Sequence, residues 1–275
     1  WDHFGPDDYH KLDFNYVQPL MATWPDWDHC NNITYNEETD QIATTLRAIG
    51  EMYIIDRKSG QVSFRWGNPA VYGAGIRPGF ADDGDQQLFG PHAPVWTTEK
   101  TILLFDNGYL RPLGPRSRAL EVDITTGNIV WEWMSESHNS FFSGSQSNAQ
   151  RLPNGNTMIV SCESGHIFEV TPGKAQTLAT TFCDAPPPYT VDQPEGLPPS
   201  EVVWEFINPA TPQGYKPIIS RGTESCYPET TNAIHRAFRY AKDYPGLAGK
   251  KLEPRPFVPE YPEGPWKQWM TMEKI

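Results

Sequence analysis

A recurring strand–turn–strand unit restricts the fold of this chain more than any other feature of the sequence. Residues 59–66 (SGQVSFRW) and 126–133 (TGNIVWEW) each combine a polar turn containing Gly with a strand that ends on aromatic residues. Residues 202–206 (VVWEF) are a third such strand, whose turn is displaced. Hydrophobic strands that end in an acid, at 53–56 and 120–123, precede the first two copies. Repeats of short strands and tight turns are typical of a β-propeller.

Turn and strand signals divide most of the chain into three four-stranded units. We therefore predict an all-β protein, a β-propeller of four-stranded antiparallel blades, with about three to four blades in this chain. Residues 232–240 are predicted to form a further strand or short helix. The predicted strands are 33–35, 41–46, 51–56 and 62–66 in the first unit, 95–97, 101–106, 119–123 and 128–133 in the second, and 147–152, 157–162, 166–170 and 202–206 in the third.

The predicted organisation has three parts. Residues 1–28 form a connecting segment, residues 29–240 form the blades, and residues 241–275 form a Pro-rich tail. Because an incomplete ring leaves strand edges open to solvent, we expect a missing segment or a partner chain to complete it. The chain begins at Trp1 without a signal-like stretch, so we expect that a leader was removed or that this is one piece of a longer product.

Composition excludes several classes of function. The 27 Pro, 22 Gly and 13% aromatic residues suit a loop-rich all-β protein. The net charge of -12 argues against a nucleic-acid or anionic-membrane partner. No apolar run reaches the roughly 18 residues that a membrane-spanning helix needs. The sequence therefore favours a protein with neither a nucleic-acid partner nor a membrane span.

The four cysteines and the acidic loop leave alternatives open. Cys30, Cys162, Cys183 and Cys226 form no CxxC pair, which disfavours a zinc ribbon. Cys183 and Cys226 lie in loop-like sequence and are either a disulfide or free thiols. The acidic residues at 82, 83 and 85 fit a solvated loop better than a calcium site, and no metal site is predicted. We expect the glycosylation acceptor at residue 32 to be unused.

Three histidines stand at comparable points of the three units. His29 and His92 precede the first strands of the first and second units, and His166 opens the third strand of the third unit. Loops that enter the inner strands of a propeller line its central channel, so His29 and His92 could converge there. The alternative is that each histidine is a hydrogen-bonded packing residue.

Arginines near these positions suggest an oxyanion site. Arg47 follows an inner strand of the first unit, and Arg111 and Arg118 follow the strand 101–106. Neutral histidines with fixed guanidinium groups suit a tetrahedral oxyanion such as sulfate or phosphate, because guanidinium presents forked donors. The alternative is that these arginines form ion pairs with acidic residues at the surface.

Several stretches, in order along the chain, resemble the arylsulfotransferase family, the PAPS-independent aryl-sulfate sulfotransferases built on a β-propeller. They include DWDHCNNI at 26–33, QQLFGPHA at 86–93, LFDNG at 104–108, AQRLPNGNT at 149–157 and SGHIFEVTP at 164–172. The resemblance implies that the chain corresponds to the C-terminal part of a six-bladed ring. It also implies a secreted, periplasmic or organelle-lumen location.

The resemblance implies transfer of a sulfuryl group from a phenolic sulfate donor to a phenol acceptor through a sulfohistidine. His166 matches the nucleophile and His29 and His92 match the supporting histidines. Arg111 or Arg118 matches the sulfate-binding arginine, and Asn31 and Arg47 are expected neighbours of the bound sulfate. No cofactor or metal is implied, because a phenolate leaves readily. A second interpretation is a catalytically inactive propeller that serves as a structural or interaction subunit, and a third is a carbohydrate-binding propeller.

Overall fold

The computed structural model describes residues 28–135, 141–173, 199–208 and 233–252. Within these ranges the protein is all-β, with short 3-10 helices at Pro69–Tyr72 and Pro245–Leu247. The strands are β1 (Cys30–Asn36), β2 (Gln41–Leu46), β3 (Glu51–Asp56), β4 (Val62–Trp66), β5 (Pro91–Trp96), β6 (Thr101–Asp106), β7 (Arg118–Asp123), β8 (Ile129–Trp133), β9 (Asn148–Arg151), β10 (Thr157–Ser161), β11 (His166–Val170) and β12 (Val202–Ile207).

The strands form three four-stranded antiparallel sheets, each built from four consecutive strands. This confirms the predicted all-β class and the predicted four-stranded units. Strand β5 begins at Pro91, four residues before the predicted start, because a register shift between His92 and Val95 accommodates the prolines. The prediction of a strand or short helix over 232–240 is wrong for the described residues 233–240. This segment is held instead by Asn148, whose side chain exchanges two hydrogen bonds with the backbone of Ala237.

In the first two sheets, the aspartate that ends the third strand accepts hydrogen bonds from residues of the turn that follows it. The Asp56 carboxylate accepts hydrogen bonds from the backbone N–H and hydroxyl of Ser59, both at 2.7 Å. Asp123 accepts from the same groups of Thr125 at 2.7 and 2.6 Å. Each turn ends at a glycine with positive φ, 70° in the first and 77° in the second. The repeat seen in the sequence is therefore a repeat of local turn chemistry.

The sheets pack face to face through their inner strands. Strand β5 contacts β1 and β2, and β9 contacts β5 and β6. Because successive side chains of a strand point to opposite faces, β6 serves two cores. Ile102 and Leu104 pack towards the first sheet, and Leu103 and Phe105 pack with residues of the third. The middle sheet is thus covered on both faces.

Polar side chains also join neighbouring sheets. The Trp66 indole N–H donates to the Gly127 carbonyl at 3.0 Å, which links β4 to the β7–β8 turn. Arg151 of β9 pairs with Glu121 of β7 at 2.7 Å and stacks on Trp131 of β8, with 4.4 Å from guanidinium carbon to ring centroid. These side chains help to hold the sheets in register.

The chain divides into two units, residues 1–237 and 238–275. In the second unit the rings of Tyr240 and Tyr244 lie 4.4 Å apart. No helix in the described ranges is long and apolar enough to cross a membrane. The predicted division into 1–28, 29–240 and 241–275 stays a prediction.

Candidate functional site

The site lies where the first strand of each sheet begins and the second strand ends. His29 directly precedes β1, and its carbonyl accepts a hydrogen bond from the Arg47 N–H, directly after β2, at 3.1 Å. His92 is the second residue of β5, and Asn107 directly follows β6. Cys162 occupies the corresponding position after β10. Because the inner strands are neighbours, this end of the three sheets brings these residues together.

Left-handed backbone conformations cluster at the entries to the inner strands. The φ values are 44° at His29, 50° at Ala93, 56° at Gln146 and 77° at Ser147. Residues with a β-carbon adopt such angles at a cost, and positions of this kind are found preferentially at functional sites. The strand pairing also shifts in register near the starts of β1 and β5, and such shifts change the direction of nearby side chains.

His92 is buried and its ring is held at both nitrogens. Nδ1 lies 2.6 Å from Asn107 Oδ1 and 3.1 Å from the Gly90 carbonyl oxygen. Nε2 accepts a hydrogen bond from the Gln146 N–H at 3.2 Å. Burial lowers the pKa of His92 to about 4, and repulsion from Arg47 also acts to lower it. The imidazole is therefore neutral near pH 7.

Asn107 determines which ring nitrogen of His92 carries the proton. Its side-chain N–H groups donate to the carbonyl oxygens of Ser143 at 2.6 Å and Gln146 at 3.2 Å. These bonds turn Oδ1 towards His92 Nδ1, and an amide oxygen can only accept. The network therefore assigns the proton to Nδ1 and leaves the lone pair on Nε2.

Arg47 is buried with its guanidinium beside the same site. Nη2 donates to the Gly144 carbonyl oxygen at 3.1 Å, and the guanidinium carbon lies 4.9 Å from the centroid of the Tyr109 ring. Glu163 holds the same loop, with its carboxylate accepting from Gly144 N–H at 2.9 Å and from the Ser145 hydroxyl at 3.0 Å. The segment 143–147 thus closes around Arg47 and His92.

Cys162 supports the same segment. Burial raises the pKa of its thiol to about 11, so the thiol is protonated and donates to Gln146 Oε1 at 2.9 Å. Cys30 and Cys162 are free thiols. The predicted pairing of Cys183 with Cys226 lies outside the described residues.

Asn31 joins the first two sheets. Its side chain donates to the Pro91 carbonyl oxygen at 3.0 Å, one residue before His92. Asn32, the predicted glycosylation acceptor, donates in the same way to Pro94 at 3.1 Å. Asn31 therefore supports the position of His92, and its predicted contact with sulfate stays a prediction.

Arg111 and Arg118 meet carboxylates around one buried aspartate. Arg111 pairs with Asp83 at 2.5 Å and with Asp106 at 2.6 Å. Arg118 pairs with Asp106 at 3.0 Å and with Glu132 at 2.5 Å. Both arginines therefore form ion pairs, as the alternative interpretation predicted, but their shared partner is the buried Asp106 and not an acidic residue at the surface. A sulfate-binding role for either arginine stays a prediction.

His166 lies on a third strand, apart from the inner-strand residues. Its Nε2 lies 3.1 Å from Glu205 Oε2, and this hydrogen bond lowers the pKa of Glu205. The centroid of the His166 ring lies 4.8 Å from that of the Phe168 ring. The strand register makes this pair equivalent to Arg118 and Glu132 of the second sheet. Two strand spacings, about 10 Å, separate β11 from the inner strand β9.

Sequence reasoning missed Asn107, Gln146 and Glu163. Asn107 belongs to an Asp-Asn-Gly sequence, which first indicates a turn. The signal available for Gln146 was the polar run SGSQS at 143–147 beside an inner strand, and Glu163 lies outside that run. Among the described residues no three His, Cys, Asp or Glu side chains are grouped to hold a metal ion.

Comparison with known proteins identifies the family. A family model described as "Arylsulfotransferase (ASST)" matches residues 11–181. No curated protein matches the chain. One solved structure that it resembles is the "WD40 beta propeller domain of Doa1", at 14% identity and a TM-score of 0.32, over 51% of this chain and 36% of that one. The chain thus spans about a third of that structure. Because the family model covers well over half of its residues, this chain belongs to the arylsulfotransferase (ASST) family.

Proposed function

We propose that this protein transfers sulfuryl groups between phenolic compounds at the site formed by His29, Arg47 and His92. The observation that carries the proposal is a neutral imidazole of fixed tautomer beside a buried guanidinium. An imidazole lone pair is the nucleophile that the reaction needs, and a guanidinium stabilises charge on the sulfuryl oxygens. Family membership supports the same reaction class.

The reaction proceeds in two balanced steps. The hydrogen bond from the Gln146 N–H to Nε2 of His92 opens first. Nε2 then attacks the sulfur of an aryl sulfate, forming an N–S bond while the S–O bond breaks and the phenolate leaves. Arg47 holds the sulfuryl oxygens, and Asn107 keeps its bond to the Nδ1 proton. A second phenol loses its proton and attacks the sulfur, which releases the imidazole. We propose that His29, which directly precedes β1, takes up that proton.

The family resemblance instead predicts His166 as the nucleophile. Glu205 could orient that ring, as an acid partner does in a catalytic triad. We favour His92 because Arg47 adjoins it, whereas His166 shares its register with the structural pair of Arg118 and Glu132.

Labelling with radiosulfur from an aryl sulfate distinguishes the two histidines. We expect His92→Asn to abolish protein labelling and phenolate release, and His166→Asn to retain both. We expect Arg47→Lys to lower turnover by about a hundredfold, the usual loss when one oxyanion donor is removed. Arg57→Lys, at an arginine whose side chain is 54% exposed, is the matched arginine control. Loss of labelling in His166→Asn alone would instead identify His166.

We further infer that the three sheets are consecutive propeller blades whose inner strands face a common axis. The contacts of β5 with β1 and of β9 with β5 support this arrangement. The blade number, the completing segment or partner, and a secreted, periplasmic or lumenal location stay predictions.

The second candidate is an inactive interaction subunit. The observation that favours it is the exposed apolar strand β12, where the exposed fractions are 50% for Val203 and 43% for Trp204. A folded protein that is neither labelled nor able to turn over aryl sulfates would favour this role.

A further inference from the structure

A cavity opens on the first sheet, and none of the three candidate histidines lines it. It has a volume of about 230 Å³ and lies beside β3, β4 and the 3-10 helix Pro69–Tyr72. Glu51, Arg65, Trp66 and Tyr72 contribute to its walls. The volume lies below the range of about 300–1,000 Å³ that is usual for drug-sized ligands, so it suits a single-ring molecule.

Glu51 lines this cavity and has one carboxyl oxygen without a partner among the described residues. The residue is 2% exposed, and its Oε1 accepts a hydrogen bond from the Asn68 N–H. Its Oε2 is buried and has no hydrogen-bond partner among the described residues. Burial raises the pKa of Glu51 to about 8, so near pH 7 the carboxyl is protonated and needs an acceptor for its O–H.

Arg65 supplies a positive charge to the same cavity. Its guanidinium stacks on the Tyr72 ring, with 3.5 Å from the guanidinium carbon to the ring centroid. Stacking fixes the plane of the guanidinium group and leaves the N–H groups at its edge available to planar acceptors. The Trp66 indole N–H is already bonded to Gly127, so Trp66 offers the cavity an apolar ring.

We propose that this cavity binds a small aromatic carboxylate. On binding, the Glu51 carboxyl group turns its unpartnered oxygen towards the cavity. The ligand carboxylate then accepts hydrogen bonds from the Glu51 O–H and the Arg65 guanidinium, and its ring packs against Trp66. A carboxylate suits this pair better than a sulfate ester, because it is a much stronger acceptor for a carboxyl proton. The residues are separate from those of the proposed sulfuryl transfer, so the inference does not depend on that function.

Titration of the full chain with benzoate by calorimetry at pH 6.5 tests the proposal. We expect saturable binding that weakens at least tenfold in Arg65→Gln, because a charged hydrogen-bond donor is lost. Lys58→Gln, which removes an exposed positive charge from the same sheet, is expected to bind as the unmodified protein does. His92→Asn is also expected to keep full affinity. Phenyl sulfate should bind several-fold more weakly than benzoate.

The pH dependence provides a second readout. Ionised Glu51 would repel the ligand and attract Arg65, so benzoate affinity should fall between pH 6.5 and 8.5. The other charged or titratable groups that face the cavity or Glu51 are Tyr53 on β3, Tyr72 and Asp85. We expect Glu51→Gln to bind equally at both pH values. No binding at millimolar benzoate, equal affinity in Arg65→Gln, or equal affinity for phenyl sulfate would overturn the proposal.

Discussion

The burial of Glu51 predicts a loss of stability as the pH rises. Its pKa is about 8 in the folded protein against an ordinary value of 4.5. Between these values the folded state binds more protons than the unfolded state, so the free energy of unfolding falls with increasing pH. One pKa unit corresponds to 1.36 kcal/mol, so the full difference amounts to about 5 kcal/mol. This contribution is present below pH 4.5 and is lost by pH 8.

Glu51→Gln removes the ionisation and keeps an oxygen for the Asn68 N–H. Urea denaturation at pH 5 and pH 8 measures the effect. We expect the variant to gain about 3.5 kcal/mol relative to the unmodified protein between these two pH values, because this window covers most but not all of the difference between the two pKa values. Glu99→Gln, at a side chain that is 54% exposed, should produce no such change. Parallel pH profiles for the unmodified protein and Glu51→Gln would refute the reasoning.

Three further predictions follow from buried contacts. Burial lowers the pKa of His92 from 6.5 to about 4, so the free energy of unfolding should fall by about 3 kcal/mol as the pH drops from 6.5 through 4. Denaturation of His92→Gln should not show this pH dependence. Gly108→Ala should lower the free energy of unfolding by more than about 1 kcal/mol, because φ is 67° and the added carbon would lie 1.7 Å from a backbone oxygen. In urea denaturation, Trp66→Phe should lower the free energy of unfolding by about 1 kcal/mol, because the hydrogen bond to the Gly127 carbonyl is lost. Trp131→Phe should lower it less, because the Trp131 indole N–H has no partner among the described residues. A cost in Trp131→Phe as large as in Trp66→Phe would contradict the hydrogen-bond explanation.

Strand positions could be predicted because their signals are local. Strands β2, β3, β4, β6 and β11 have the predicted bounds, since short apolar or alternating runs and the turns that follow them depend on residues only a few positions apart. The turns at Asp56 and Asp123 are held by side-chain bonds to residues two or three positions ahead. The segment 233–240 was predicted wrongly because its conformation depends on Asn148, 89 positions from Ala237.

The pattern of residues was thus enough to determine four-stranded units, their turns and the family resemblance, because those properties depend on neighbours in the chain. The tertiary structure alone decided which candidate side chains meet. It placed Gln146 against His92 from 54 positions away, paired Arg111 and Arg118 with Asp106, and put His166 in register with Arg118. Charge state, tautomer and proximity arise from the packing of one sheet on another, and no local pattern encodes that packing.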